Sequence, residues 1–181
     1  MSDDAYEATT FALTLEKDSG FSATTGGGSY EEGVTVNINA TIKSGYTWSK
    51  WTGDTNYLTG GATTAATQSN SVKMPATAVT LKATSTANTY KVNWDGSGGT
   101  PSVASSNITF NSTYTLPTAT RSGHTFKGWY TEASGGTQIT VSTKHTTAGD
   151  VTYYAQWIPW TFTVKYDKNT GEGSMSDSSH T

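Results

Sequence analysis

There is no cysteine among the 181 residues, proline occurs only four times, and charged side chains make up 14% of the chain. Without thiols the protein has no disulfide, no thiolate zinc site and no cysteine nucleophile, while the compartment stays open because secreted bacterial proteins also lack cysteine. Eleven Lys and Arg against fourteen Asp and Glu leave a net charge of -3. That balance provides no clustered basic surface for nucleic acid or an anionic membrane, so neither is expected as a partner. No apolar run approaches the roughly eighteen residues of a membrane span. The start MSDDAYEATT lacks the basic and apolar regions of a signal peptide. Residues 1–10 read as a tail, and the whole as a soluble segment of a longer chain.

What the sequence does have is glycine, nineteen times, and aromatics at 12%, set among Ser and Thr. This composition favours short strands joined by turns. Internal repetition gives the organisation. FALTLEK from Phe11, YKVNWDG from Tyr90 and FTVKYDK from Phe162 are nearly evenly spaced, and each places apolar residues at positions one, three and five. VTLKA from Val79 recurs as VTYYA from Val151, the same distance apart as Tyr90 and Phe162. SGYTWSKW, residues 44–51, recurs at a closely similar interval as SGHTFKGW, residues 122–129. Landmarks in one order at nearly one period define two units, 11–85 and 89–158, and the start of a third at 162–181. Ser85 to Thr89 and Ile158 to Thr161 read as short joints that restrict how neighbouring units orient.

Within the first unit Val34, Val36, Ile38, Ala40 and Ile42 alternate with polar residues, a period of two that only a strand with one buried face can use. Ile108, Phe110, Tyr114 and Leu116 repeat the device in the second. Val79, Leu81 and Ala83 close the first unit; Val151, Tyr153, Ala155 and Trp157 close the second. All four prolines, Pro75, Pro101, Pro117 and Pro159, stand outside the clear alternating runs. Only residues 62–66 offer a helical turn or two.

The duplicated octet is read as packing. A unit of roughly 70 to 80 residues is near the lower limit for an independent core, and one buried aromatic ring removes on the order of 150 to 250 Å² from water. Trp51 corresponds to Trp129, Trp48 to Phe126, and Leu15, Trp94 and Tyr166 share one position that asks only for apolar bulk. Trp48, Trp51, Trp94, Phe126, Trp129 and Trp157 are therefore the expected core. Gly45 and Gly123 are expected to turn the chain with positive φ before each aromatic strand.

These motifs carry a resemblance. From Tyr90 to Trp157 the chain resembles the B-repeat of internalin-type bacterial surface proteins, the Listeria-Bacteroides repeat. The matching marks are its Gly-rich turn after the opening strand, Leu116-Pro117, Gly123 to Tyr130, and Tyr154 to Trp157. The first unit resembles the divergent B-repeat through Gly26 to Gly28, Tyr46 to Trp51, Thr52-Gly53-Asp54 and Met74-Pro75-Ala76, without the Trp-Tyr pair or the terminal Trp. The resemblance implies a mainly β protein of tandem small β-grasp-like modules with little or no helix. It further implies an extracellular, cell-surface stalk or adhesive segment with no catalytic residue and no cofactor.

The residues themselves assemble no chemistry. His124 stands where the first unit has Tyr46 and is expected in a strand; His145 falls in the polar loop STKHTTAGD and His180 in the tail. No histidine pair has ligand spacing, so no metal is expected. Gly96-Ser97-Gly98-Gly99-Thr100 lacks the Lys and following helix of a phosphate cradle and is a turn. Asp54, Asp95, Asp150 and Asp167 sit beside glycines in turns. The candidate binding residues are the aromatics that do not recur. Tyr57 lies in a loop, Tyr130 follows the octet, Tyr154 faces away from the core, and Trp160 stands in a joint, where packing one unit on the next is its expected role. Their partner would be a surface protein or a glycan of a host or neighbouring cell. The rival reading is a carbohydrate-binding accessory module of a secreted enzyme. The strand from Phe162 is expected to dock on the second unit or on another copy of the chain, because its edge would otherwise stay unpaired.

Overall fold

The computed structural model describes residues 7–165 and the backbone of 178–180, and it is mainly β. The chain divides into two compact units, residues 1–88 and 89–181. In the first, the strands are β1 (Thr10–Lys17), β2 (Phe21–Thr25), β3 (Gly28–Glu31), β4 (Thr35–Ile42), β5 (Tyr46–Gly53), β6 (Asn70–Lys73) and β7 (Val79–Ala87). In the second they are β8 (Thr89–Asp95), β9 (Thr100–Pro101), β10 (Ser105–Thr109), β11 (Ala119–Thr120), β12 (His124–Tyr130), β13 (Gln138–Ile139) and β14 (Val151–Pro159), followed by β15 (Phe162–Val164) and β16 (Ser178–His180).

One sheet is built twice. In the first unit its order is β3-β1-β7-β5; in the second it is β10-β8-β14-β12, with β13 added at the edge. The opening and closing strands lie side by side and parallel in both, Leu13 beside Val79 and Val92 beside Val151. A parallel pair cannot close through a hairpin, so everything between must cross over. The third strand of each sheet, β5 or β12, then runs antiparallel to the closing strand with one extra residue at the same place. The register shifts between Trp48 and Lys50 in the first unit and between Phe126 and Gly128 in the second. That bulge changes which residues face inward, so Trp48 and Trp51 share the core face although three apart. Trp51 lies opposite Ala83 and Trp129 opposite Ala155, the small partner leaving room for the indole.

The crossover segments differ. In the first unit β2, β4 and β6 form a second, three-stranded sheet, and β4 turns Val36, Ile38 and Ala40 inward. Val34, expected on that face, precedes the strand and is exposed. In the second unit the crossover makes only the β9–β11 ribbon and irregular segments. Aromatics fill the difference: Trp94, Tyr114 and Tyr153 join Trp129 in its core, where the first unit packs Leu13, Ile38, Leu81 and Met74 with Phe21 and Trp51. The only helical turns among the described residues are 3-10, Thr55–Tyr57 and Gly61–Thr64.

Gly45 and Gly123 have φ of 86° and 71°, supplying the left-handed turn into β5 and β12. The joints are tighter than the sequence implies. Ser85 to Ala87 extend β7, leaving Asn88 between it and β8, and Ile158-Pro159 extend β14. Pro101 and Pro159 thus sit in strands, at the ribbon and at a strand end, where a missing N–H is tolerated.

Asp18 ties down the end of β1. Its carboxylate accepts hydrogen bonds from Ser85 N–H (2.6 Å), Ser85 Oγ (2.7 Å) and Gly20 N–H (2.9 Å). Burial by itself would raise the carboxyl, but these donors, with the charge of Lys82, hold it below the usual range. Asp18→Ala strands both N–H donors, and the half-exposed site makes the expected cost about 1–2 kcal/mol. The loss should appear as a lower midpoint for the first unit alone in denaturant titration. An unchanged midpoint would mean water replaces the carboxylate freely.

β15 does not dock on the second unit as expected; it pairs with β16. The register is informative. Phe162 faces His180 and Val164 faces Ser178, while Tyr90 faces Ile108 and Val92 faces Ser106. Each pair in the tail is the β8–β10 pair displaced by one repeat length.

Candidate functional site

The best-developed surface in the second unit is the outer face of β12 and β14. Alternation decides it: Phe126, Trp129, Ala155 and Trp157 point into the core, so their neighbours point out. The outward pairs are Thr125 with Ile158, Gly128 with Gln156, and Tyr130 with Tyr154. Tyr154 therefore faces outward as expected and is half-buried. Tyr130 is directly opposite it but is only 9% exposed, which corrects its assignment as an open aromatic. The bulge residue Lys127 accounts for part of this: its ammonium lies 5.1 Å from the Tyr130 ring centroid, a cation held over the π face. Gln156 anchors the adjoining loop, donating to the Glu132 and Gly135 carbonyls at 3.1 and 2.6 Å.

Trp160 stands at the far end of this face, 49% exposed. It does not simply bridge modules. Its backbone N–H donates to Gly123 O at 2.8 Å and its Nε1–H to Thr125 Oγ1 at 3.0 Å, fixing the ring on its own unit. Phe162 lies edge-on to it at 6.4 Å. Three of the four candidate residues, Tyr130, Tyr154 and Trp160, thus belong to one face. Tyr57 does not: it sits in the first unit, half-buried against that core, at an open groove of about 510 Å³ with Glu32, Lys73, Met74 and Pro75.

The expected core residues lie as follows. Trp51, Trp94 and Trp129 are 1%, 3% and 1% exposed, and Trp48, Phe126 and Trp157 are half-buried against them. Each octet indole satisfies its N–H on a loop carbonyl, Trp51 on Gln68 O (3.1 Å) and Trp129 on Pro117 O (2.7 Å).

His145 is the residue the sequence misplaces. It is fully buried. Its Nδ1 shares a hydrogen bond of 2.7 Å with Tyr114 OH, which shares another of 2.7 Å with Tyr153 OH. Its backbone is locked to Ser112 O and Asn111 N–H at 2.9 and 2.7 Å. Nε2 has no hydrogen-bond partner among the described residues. Burial pushes the imidazole pKa down, against the backbone of Gly149 and Thr147 and the charge of Asp150, which favour the cation. Burial and the Tyr153 hydroxyl push the Tyr114 phenol up. The imidazole is held directly by the Tyr114 phenol, which the Tyr153 phenol holds in turn, so the three side chains form one buried hydrogen-bonded chain. The turn carboxylates are structural too: Asp54, Asp95 and Asp150 accept the N–H of Thr80, Ser97 and Lys91 at 2.8, 2.7 and 2.8 Å. Asp167 lies outside the described residues, as do the side chains of His180 and Tyr166. Among the described residues no three metal-type side chains converge, and no helix is long and apolar enough to cross a membrane.

Two repeats of one sheet, with the same bulge and the same buried indole, are matched by comparison with known families. Residues 11–89 match the divergent InlB B-repeat domain and residues 90–156 the Listeria-Bacteroides repeat domain. Both units are B-repeats of the internalin type. Internalin H of Listeria monocytogenes serovar 1/2a is 34% identical over 136 residues, which cover 68% of this chain and 22% of that protein. The chain therefore spans about a fifth of the length of this relative. The boundary between the two B-repeat matches falls within a residue of the division between the compact units.

Proposed function

We propose that this chain is a non-catalytic stalk segment of a bacterial cell-surface protein, in which successive B-repeats hold a terminal region away from the envelope. The observation that carries this reading is repetition without interruption. In the chain Asn88 alone stands between the last strand of one B-repeat and the first strand of the next, and the β15–β16 hairpin resumes the β8–β10 register one repeat further on. A spacer needs modules that fold alone and short joints, and it needs no active site. The outer face with Tyr154 and Trp160 gives the stalk a contact surface for a protein or glycan on a host or neighbouring cell.

Replacement within the parent protein separates spacing from contact. Deleting residues 89–158 should weaken adhesion of cells displaying the protein, and an unrelated β module of similar length should restore it. If only a B-repeat restores adhesion, contact outweighs length. If deletion changes nothing, the stalk reading fails.

One arrangement favours a second reading, a carbohydrate-binding accessory module: Tyr154 outward on one face, beside the covered Tyr130, with the exposed Trp160 beyond. Retardation on a glycan affinity gel that Tyr154→Ala or Trp160→Ala abolishes would support it, and migration unchanged by any glycan would remove it.

A further inference from the structure

Beside that face, and sharing Gln156 with it, the Gly-rich turn after β8 forms an unassigned polar site around Arg121. Its guanidinium makes a single hydrogen bond among the described residues, Nη1 to Ser97 O at a long 3.3 Å. Guanidinium carries five N–H donors, so most are unspent. The group lies flat against Gly98: a Cβ there would sit 3.4 Å from Cζ and 3.7 Å from Nε and Nη1. Two neighbouring cavities share Arg121 as a wall. One, of about 310 Å³, adds His124, Ser134, Gln156 and Trp157; the other, of about 410 Å³, adds Thr100, Thr120 and Ser122. Among the described residues no Asp or Glu lines either. In the same turn the Ser97 hydroxyl is buried without a partner among the described residues.

The turn is rigid. Trp157 Nε1–H donates to Gly96 O at 2.9 Å, and the indole edge fills the space a Cβ on Gly99 would need, 2.3 Å from Cζ2. Ser97 adopts φ of 47°, a left-handed conformation that an L-residue keeps only where its surroundings impose it. The cation is thus presented on a fixed support, which lowers the ordering cost of binding.

We infer that the Arg121 turn is a binding site for a saccharide bearing an oxyanion, a uronic carboxylate or a sulfate ester. A planar guanidinium with free parallel donors recognises either group bidentately. The hydroxyls of Ser122, Ser134, Thr100 and Thr120 match a polyhydroxylated ring, and Trp157 gives the first cavity an apolar wall for its C–H face. An acidic peptide fits less well, because walls of hydroxyls and glycine backbone offer no socket for its neighbouring side chains. This inference goes beyond the stalk reading and uses residues other than Tyr154 and Trp160.

The test is heteronuclear NMR titration of the full chain with a polyuronate oligosaccharide, a sulfated oligosaccharide, a carboxyl-reduced unsulfated analogue and an acidic peptide of equal charge. Shifts should concentrate at Ser97 to Thr100 and Thr120 to His124 with an anionic sugar; the preferred one of the two identifies the oxyanion. Arg121→Gln should weaken binding about 10- to 100-fold, the worth of hydrogen bonds to a charged group. Lys91→Gln, a charge removed from the exposed side of β8, should leave it within about twofold. Ser134→Trp, which fills the first cavity from an exposed loop and leaves Arg121 intact, should abolish it even if Arg121→Gln fails to fold. The proposal is overturned by no localised shift with either anionic sugar at millimolar concentration. It is equally overturned by equal binding of the neutral analogue, by tighter binding of the peptide, or by equal loss in Lys91→Gln.

Discussion

Trp129→Ala is expected to cost the second unit about 3–5 kcal/mol, the range for removing a buried Trp side chain from a core. A domain of this size has a total stability of only about 4–11 kcal/mol. Trp129 is nearly inaccessible and packs at 4.9 Å from Trp94 and 5.5 Å from Phe126. Cavity formation therefore adds to lost transfer energy, and Pro117 O loses its indole donor. In a thermal scan the transition of the second unit should fall by about 15 °C or more, while that of the first stays in place. Among the described residues the two cores share no buried side chain. Trp51→Ala should give the reciprocal result. If either substitution lowers both transitions equally, the units do not unfold separately, and the description of two self-contained cores is wrong.

Mild acid should distinguish the same units without mutation. The folded-state pKa of His145 is lowered, so the unfolded chain binds the proton more tightly. The stability from keeping the imidazole neutral is complete above the unfolded value of about 6.5 and is lost as pH falls below it toward the folded value, by at most about 1.4 kcal/mol per pH unit. Asp18 shifts downward as a carboxylate, so its contribution persists until pH falls below about 4. Between about pH 6.5 and 4.5 the second unit should soften while the first holds. His145→Asn should remove that slope and lower stability at neutral pH, because the amide cannot charge and fills less of the site. A second unit whose midpoint is flat through this window would show that the protonated ring finds a partner inside, with Asp150 the nearest candidate charge.

Much of the fold was legible because each unit is written with period-two strands at landmarks that recur. Val36, Ile38 and Ala40 face inward because one face of a strand must, and Trp51 and Trp129 occupy matching sites because the octet and the closing strand recur together. Local chemistry was legible at Gly45 and Gly123 for the same reason: a turn into a strand demands positive φ wherever the pattern occurs. Tyr154 could be placed outward by counting from Tyr153, whereas Tyr130 could not be recognised as covered, since that depends on a bulge raising Lys127 over its ring.

His145, Arg121 and Trp160 show where local reading stops. Nothing in STKHTTAGD signals burial, because the shell of His145 comes from Tyr114 and Tyr153, and Tyr114 stands 31 residues away. Arg121 gains its character from a Gly-rich turn 24 residues earlier. Trp160 is held by Thr125, 35 residues back.

By itself the sequence determined the β class, the two repeats and their tryptophan cores, because apolar periodicity and a repeated octet are local properties that a strand must obey. Only the tertiary structure decided which histidine is buried, which tyrosine is covered and which turn an arginine lies against. Those outcomes are sums over neighbours distant in sequence, brought together by a parallel crossover whose loops carry no periodic signal.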